Sequence, residues 1–216
     1  MQRDAMVHIV DDDPGMRKSL TMLVESASLA ATAYESAEAF LAESDADHPA
    51  CVVLDLRMPG MSGLEMLQNL RANMNDVPVI IISAHADVPA TVRGMKLGAV
   101  DVLQKPVEPA ILLDTIRQTL SLSQSLFQQR EEARSVSQRF ENLTNREMEL
   151  LALIVDGQSN KQIARTLGIS IKTVANHRAS LMAKTGAANA ADLARLFTTY
   201  TSLARPSAKV SASSQG

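Results

Sequence analysis

The sequence predicts an α/β domain with a five-stranded, parallel, doubly wound sheet, joined by a helical linker to an all-α domain of four helices. Three observations carry this prediction. Short β-rich runs alternate with stretches of helical period over the first 120 residues. Glycine and proline then vanish between Ala110 and Asn142, where Gln, Glu, Arg and Ser dominate around a narrow helical seam. Helix-capping signals recur from Thr144 to Asn189. The chain's 216 residues give room for two small domains.

The strand-like runs are Met6–Val10, a weaker one at Ala31–Tyr34, Ala50–Asp55, Val77–Ser83 and Val100–Leu103. Val52-Val53-Leu54 and Val79-Ile80-Ile81-Ile82 are continuous apolar runs, as central strands covered on both faces require. Between the runs, Leu20, Leu23, Val24 and Ala27, and then Leu64, Leu67, Leu70 and Arg71, follow a helical period. The expected boundaries are residues 1–120 for this domain, 121–140 for the linker, 141–201 for the helical domain and 202–216 for a disordered, small and polar tail. In the linker, Leu122, Leu126, Gln129, Ala133, Val136, Phe140 and Leu143 form a narrow seam spaced by four and three. Two readings of it stay open: a solvated helix resting on its own domain, or a signalling helix that pairs with a second copy.

In the helical domain, Thr144-x-x-Glu147 and Ser159-x-x-Gln162 are capping boxes. Gly157 and Gly168 are helix stops, and Ser170 and Asn189 are further caps. Leu167-Gly168-Ile169-Ser170 is the short glycine-containing turn of a helix-turn-helix.

Composition excludes several classes. No apolar run approaches the ~18 residues that cross a membrane, and the N-terminus lacks signal-peptide anatomy. The single cysteine, Cys51, excludes a disulfide framework and a cysteine-built zinc site. The four histidines, His8, His48, His85 and His177, have no metal-ligand spacing. A reducing, cytoplasmic setting follows. Net charge is −3, but residues 1–120 carry 9 Lys and Arg against 17 Asp and Glu, whereas residues 141–205 carry 8 against 5. An acidic half joined to a mildly basic half points to two modules with different partners.

Chemistry in the first module concentrates at the strand ends, where open α/β sheets bind ligands. Strand one ends in Asp11-Asp12-Asp13, strand three in Asp55, strand four in Ser83 and the fifth in Lys105-Pro106. Carboxylates brought together repel one another unless a cation joins them. Mg²⁺ suits oxygen ligands and leaves positions for water and phosphate. A carboxylate nucleophile beside a metal and an ammonium suits phosphoryl transfer. Singly, each residue has a plainer reading: Asp13 before Pro14 is a helix cap, Asp55 a solvated strand end, Ser83 a loop hydroxyl and Lys105 a surface turn.

The joint pattern resembles the receiver domain of bacterial two-component response regulators over residues ~6–120. The residues that carry the resemblance are Val10-Asp11-Asp12, Leu54-Asp55-Leu56-Arg57-Met58-Pro59-Gly60-Met61-Ser62-Gly63, Ile82-Ser83-Ala84 and Gln104-Lys105-Pro106. The resemblance implies Asp55 as phosphoacceptor and Mg²⁺ (or Mn²⁺) held by Asp12, Asp55 and the backbone carbonyl of Arg57, with Asp11 completing the acidic pocket. It also implies Ser83 as the switch hydroxyl, Lys105 as a phosphoryl contact, a cis Lys105–Pro106 bond and a sensor histidine kinase as phosphodonor. New negative charge on Asp55 is then expected to draw Ser83 and Lys105 inward and shift the surface spanning Asp87–Leu120. Where the family has a switching aromatic, this chain has Val102, whose β-branched side chain has few rotamers. A large aromatic swing therefore cannot be the readout.

In the second module, Val174 and Leu181 are expected to pack inward with Ile171 on the Ile171–Lys184 helix. Lys172, Asn176, Ala179 and Ala183 lie about half a turn away, flanked by Thr173 and Ser180. Asn176 can read adenine and Ala179 can meet a thymine methyl. Lys172, Thr173, His177, Arg178 and Lys184 can reach phosphates. Periodicity alone equally allows a helical interaction domain without nucleic acid, with His177 a packed core residue. Leu143-Thr144-Asn145-Arg146-Glu147, Gly157-x-x-Asn160-Lys161-x-Ile163-Ala164 and Ile169 through Arg178 resemble the LuxR-type helix-turn-helix of NarL/FixJ regulators. That resemblance implies double-stranded promoter DNA as a partner, adds Lys161 and Ala175 to the contact set and implies dimerisation through Asn189–Tyr200 in the active state. It also implies an effect on the transcription machinery, usually activation. Two other readings compete: a regulator whose receiver serves only for dimerisation, and a Mg²⁺-dependent phosphohydrolase. The second needs a general acid near the nucleophile, and the residue two after Asp55 is Arg57.

Overall fold

The computed structural model describes residues 5–43, 48–84 and 88–204, without the side chains of 202–204. It divides into two compact units, Met1–Gln128 and Gln129–Gly216.

In the first unit, β1 (Met6–Val10), β2 (Ala30–Tyr34), β3 (Ala50–Asp55), β4 (Val79–Ser83) and β5 (Asp101–Gln104) form one parallel sheet in the order β2-β1-β3-β4-β5. The helices are α1 (Pro14–Ser26), α2 (Ala37–Glu43), α3 (Gly63–Ala72), α4 (Val88–Lys96) and the start of α5 (Pro109–Glu141). The pleat sends alternate residues to opposite faces. Val10, Val52, Leu54, Val79 and Ile81 pack against Phe40, Met66, Leu67 and Leu70 of α2 and α3. Val7, Ile9, Val53, Ile80 and Ile82 pack against Leu20 and Val24 of α1 and Leu112, Ile116 and Leu120 of α5. All six residues of β3 are buried, which explains its unbroken apolar run.

Three strands differ slightly in their bounds from expectation. β4 starts at Val79 rather than Val77, because Pro78 has no N–H to give the ladder, although its carbonyl accepts from Val52. β5 runs one residue later than expected, although the Val100 N–H already donates to Val79 O. β2 begins one residue earlier, at Ala30.

Residues 121–140 are not a helix of their own; they continue α5, which is 33 residues long. The seam residues do not face one core along it: the buried positions near the start of the stretch lie beside the seam, not on it. Near its start, Leu120 and Ser123 are buried in the first unit, where Ser123 Oγ accepts from the Ala50 N–H at 2.9 Å. Near its end, Val136 and Phe140 enter the core of the second unit. Of the seam itself, Leu122, beside Ser123, and Gln129, between the two buried parts, are exposed.

The second unit adds α6 (Asn145–Val155), α7 (Asn160–Leu167), α8 (Ile171–Thr185) and α9 (Ala190–Ala204). The expected capping boxes form at Thr144/Glu147 and Ser159/Gln162, and Ser170 and Asn189 cap α8 and α9. Gly168 ends α7 in the left-handed conformation (φ 66°), which supplies the tight turn into α8. Leu150, Leu151, Ile154, Ile163, Val174, Leu181, Leu193 and Leu196 form the core with Val136 and Phe140. Helix α9 extends through the first three residues of the expected tail, and 205–216 lie outside the described residues. Among the described residues, no helix is long and apolar enough to cross a membrane.

Candidate functional site

The carboxyl ends of β1 and β3, adjacent in the sheet, bring Asp11, Asp12 and Asp55 together. One carboxylate oxygen from each lies within 4.8 Å of the others. Asp13 points elsewhere: it is the N-cap of α1 and accepts from Gly15 and Met16, the role its place before Pro14 suggested. β5 carries Lys105 to the same rim, where its Nζ lies 2.7 Å from Asp11 Oδ2 and 2.9 Å from Asp55 Oδ2. Lys105 was expected to be drawn inward by new charge, yet it already bridges the two carboxylates. The reason is electrostatic: with side chains 0% (Asp11), 12% (Asp55) and 14% (Lys105) exposed, acids this close need a cation. Burial alone would lower the Lys105 pKa, but the bonds to Asp11 and Asp55 outweigh it and hold the ammonium above its ordinary value.

Around this core, the Arg57 N–H donates to Asp55 Oδ1 (3.3 Å) and the Asp13 N–H to Asp11 Oδ1 (2.9 Å). Ser83 is buried at the end of β4, and its carbonyl accepts from the Lys105 N–H. The Lys105–Pro106 bond is cis, as the resemblance implied. Val102 is half-buried against the α2–α4 side of the sheet. Gly63 packs so closely on the Asp55 carbonyl that any side chain there would collide with it. Asp87, at one end of the expected transmission surface, lies outside the described residues, as does His85. Two buried carboxylates, Asp11 and Asp55, beside an exposed third, Asp12, suit a hard divalent cation with oxygen ligands that keeps positions open to water. Asp11, Asp12 and Asp55 could hold it.

Sequence reasoning missed two supports of this site. Arg17 of α1 donates from Nη1 to Asp11 O at 2.7 Å. Glu38 of α2 accepts from the Met61 N–H at 2.8 Å. Both are contacts of charged side chains on helices, where a solvated role is the default expectation, and the second spans 23 residues.

In the second unit, α8 follows the turn at Gly168 and presents Lys172, Ala175, Asn176, Ala179 and Ala183 to solvent. Lys161 is exposed on α7, while Thr173, His177 and Arg178 are half-buried. Arg178 Nη1 donates to Asn160 Oδ1 at 3.2 Å, and the Thr173 and Ser170 hydroxyls pair at 2.7 Å. Two expectations change. Ile171 is 53% exposed, not packed inward. At 100° per residue it sits 60–80° from the direction of Val174 and Leu181, in the first turn of the helix. Lys184 does not extend freely; its Nζ binds Glu147 Oε2 at 2.8 Å.

That ion pair was not foreseen, because the capping box accounts for only part of Glu147. Its Oε2 also accepts from Thr144, and its Oε1 accepts from Ser180 at 2.9 Å. Lys184 first, then the Thr144 N–H, lowers the Glu147 carboxyl pKa to about 2. Glu147 thus anchors α8 through two of its residues.

Comparison with known proteins gives two family matches. Residues 7–117 match the response regulator receiver domain, and residues 141–197 match the bacterial regulatory proteins of the luxR family. The transcriptional regulatory protein FixJ of Azorhizobium caulinodans is 42% identical over 199 residues, covering 91% of this chain and 93% of that protein. FixJ of Rhizobium meliloti is 39% identical over 193 residues, covering 89% and 95%. Among solved structures, the response regulator StyR matches with a TM-score of 0.84 and 41% identity, covering 91% of this chain and 100% of that one. Full-length FixJ from B. japonicum matches with a TM-score of 0.55 and 35% identity, covering 94% and 99%. With a receiver domain that implies a histidine kinase partner and a LuxR-type domain that implies DNA binding, this chain belongs to the NarL/FixJ family of two-component response regulators that control transcription.

Proposed function

We propose that Asp55 is the phosphoacceptor, that Asp11, Asp12, Asp55 and the backbone carbonyl of Arg57 hold Mg²⁺ (or Mn²⁺), and that Ser83 and Lys105 contact the phosphoryl group. The observation that carries this reading is Lys105 Nζ bonded to both Asp11 and Asp55 beside the third carboxylate. A bound divalent cation supplies charge neutralisation at the phosphoryl oxygens. An Asp55 carboxylate oxygen attacks the phosphorus of a phosphohistidine on the sensor kinase. The P–O bond forms as the P–N bond breaks, and the imidazole leaves. Lys105 is already placed to meet the added charge, so its contact passes from the carboxylate to a phosphoryl oxygen without a long swing. The buried Ser83 hydroxyl turns to the same group. Val102 leaves movement of β4 and the backbone, rather than an aromatic rotamer, to carry the change.

In the second unit, Lys161, Lys172, Thr173, His177 and Arg178 position the module on phosphates, and Ala175, Asn176 and Ala179 face base edges in the major groove. Lys184 contributes by holding α8 through Glu147. Residues 1–120 act as the receiver, 121–140 as the connection and 141–201 as the DNA-binding domain. The active form is a homodimer, paired through Asn189–Tyr200 of the α9 region, that binds two half-sites and acts on the transcription machinery in the cytoplasm. No external substrate is turned over; chemistry is limited to self-phosphorylation from a donor and slow loss of the phosphoryl group. Incubation with a small acyl phosphate and Mg²⁺, followed by intact-mass measurement, tests the assignment. The wild-type chain gains one phosphoryl group and Asp55→Asn gains none. A phosphorylated Asp55→Asn chain would remove Asp55 from its role.

A further inference from the structure

The segment Arg57–Ser62, between β3 and α3, carries the Arg57 carbonyl assigned above to the cation. Its ends are fixed: the Arg57 N–H binds Asp55 Oδ1, the Gly63 N–H binds Leu56 O at 3.1 Å, and Ser62 closes a capping box with Glu65. Its middle is tied to another element by the bond from the Met61 N–H to Glu38 Oε1 of α2. Gly60, at φ 76°, lets that carboxylate come close: a Cβ at Gly60 would lie 2.9 Å from Glu38 Oε1. Glu38 is exposed, so burial does not hold it there.

Resting on the cation site of the preceding section, we propose that Glu38 is a positioning residue for that site. It sets the Arg57–Ser62 segment so that the Arg57 carbonyl faces the carboxylates of Asp11, Asp12 and Asp55. Glu38 acts by reach, as an acceptor for the Met61 N–H, and not by its charge. Glutamine keeps an acceptor oxygen at the same reach, whereas aspartate keeps the charge and is one methylene too short.

The two hypotheses, reach and charge, therefore order the variants oppositely. The full-length wild type, Glu38→Gln and Glu38→Asp are titrated with Mn²⁺, and free Mn²⁺ is read by electron paramagnetic resonance. Glu38→Asp is expected to bind about 3–10-fold more weakly, the scale of one lost charge-assisted hydrogen bond, and Glu38→Gln within about 2-fold of wild type. The Mg²⁺ concentration for half-maximal acyl-phosphate labelling should rise in Glu38→Asp by the same factor, with the saturating rate retained. Glu38→Gln weaker than Glu38→Asp would overturn the proposal in favour of charge, and equal weakening in both would overturn the claim that reach alone acts. Wild-type affinity in Glu38→Asp would overturn it outright. Wild-type protein that fails to bind Mn²⁺ would overturn the cation site itself and the Glu38 proposal with it, a result distinct from the others.

Discussion

Removing the Lys105 ammonium isolates the electrostatics of the rim. In Lys105→Ala, Asp11 and Asp55 lose the partner that lies 2.7 and 2.9 Å away. Breaking a buried pair from one side costs roughly 3–5 kcal/mol. The 12% and 14% exposure of Asp55 and Lys105 admits some water and reduces this to about 2–4 kcal/mol. For a unit of this size that lowers the midpoint of thermal unfolding by about 10 °C in the absence of divalent cations. A divalent cation binds the same carboxylates, so saturating Mg²⁺ should restore most of the loss. By linkage, the variant must then bind Mg²⁺ more tightly than the wild type, while acyl-phosphate labelling slows because the phosphoryl contact is gone. Thermal unfolding with and without Mg²⁺, together with calorimetric titration, gives both sides of this cycle. Equal stabilisation of wild type and variant by Mg²⁺ would refute the idea that ammonium and metal neutralise the same acids.

Two further outcomes concern the second unit. Lys172→Ala should weaken binding to all DNA sequences alike and flatten the salt dependence of log K by about one ion; an unchanged slope counts against a phosphate contact. Glu147→Gln should destabilise the second unit by about 2 kcal/mol near neutral pH, a figure discounted for the exposure of Lys184 to water. The Glu147 pKa is depressed, so its contribution is present above the ordinary value of 4.5 and is lost as pH falls through about 2. Urea unfolding of wild type and variant at neutral pH and at about pH 3 checks this; the gap between them should narrow on acidification, and a constant gap would contradict it.

Local patterns were enough for much of this molecule. Apolar runs of four to six residues ending in acids, a hydroxyl or a lysine marked the buried parallel strands and the rim that they share. Capping boxes, left-handed glycines and Ser170 placed the helices of the second unit, because those signals act within one turn. Residues 121–140 were harder: their pattern shows a helix but not which core each part serves. Leu120 and Ser123 face one core, and Val136 and Phe140 another.

Sequence by itself determined which residues reach the ends of the strands, since each apolar run and the polar residue that closes it are local features of the chain. Tertiary structure alone decided how the charges pair. Lys105 lies 94 residues from Asp11, Glu38 lies 23 from Met61 and Lys184 lies 37 from Glu147. No local period encodes such contacts. They arise only when packing removes water and leaves each charge with the partners that the fold has brought near.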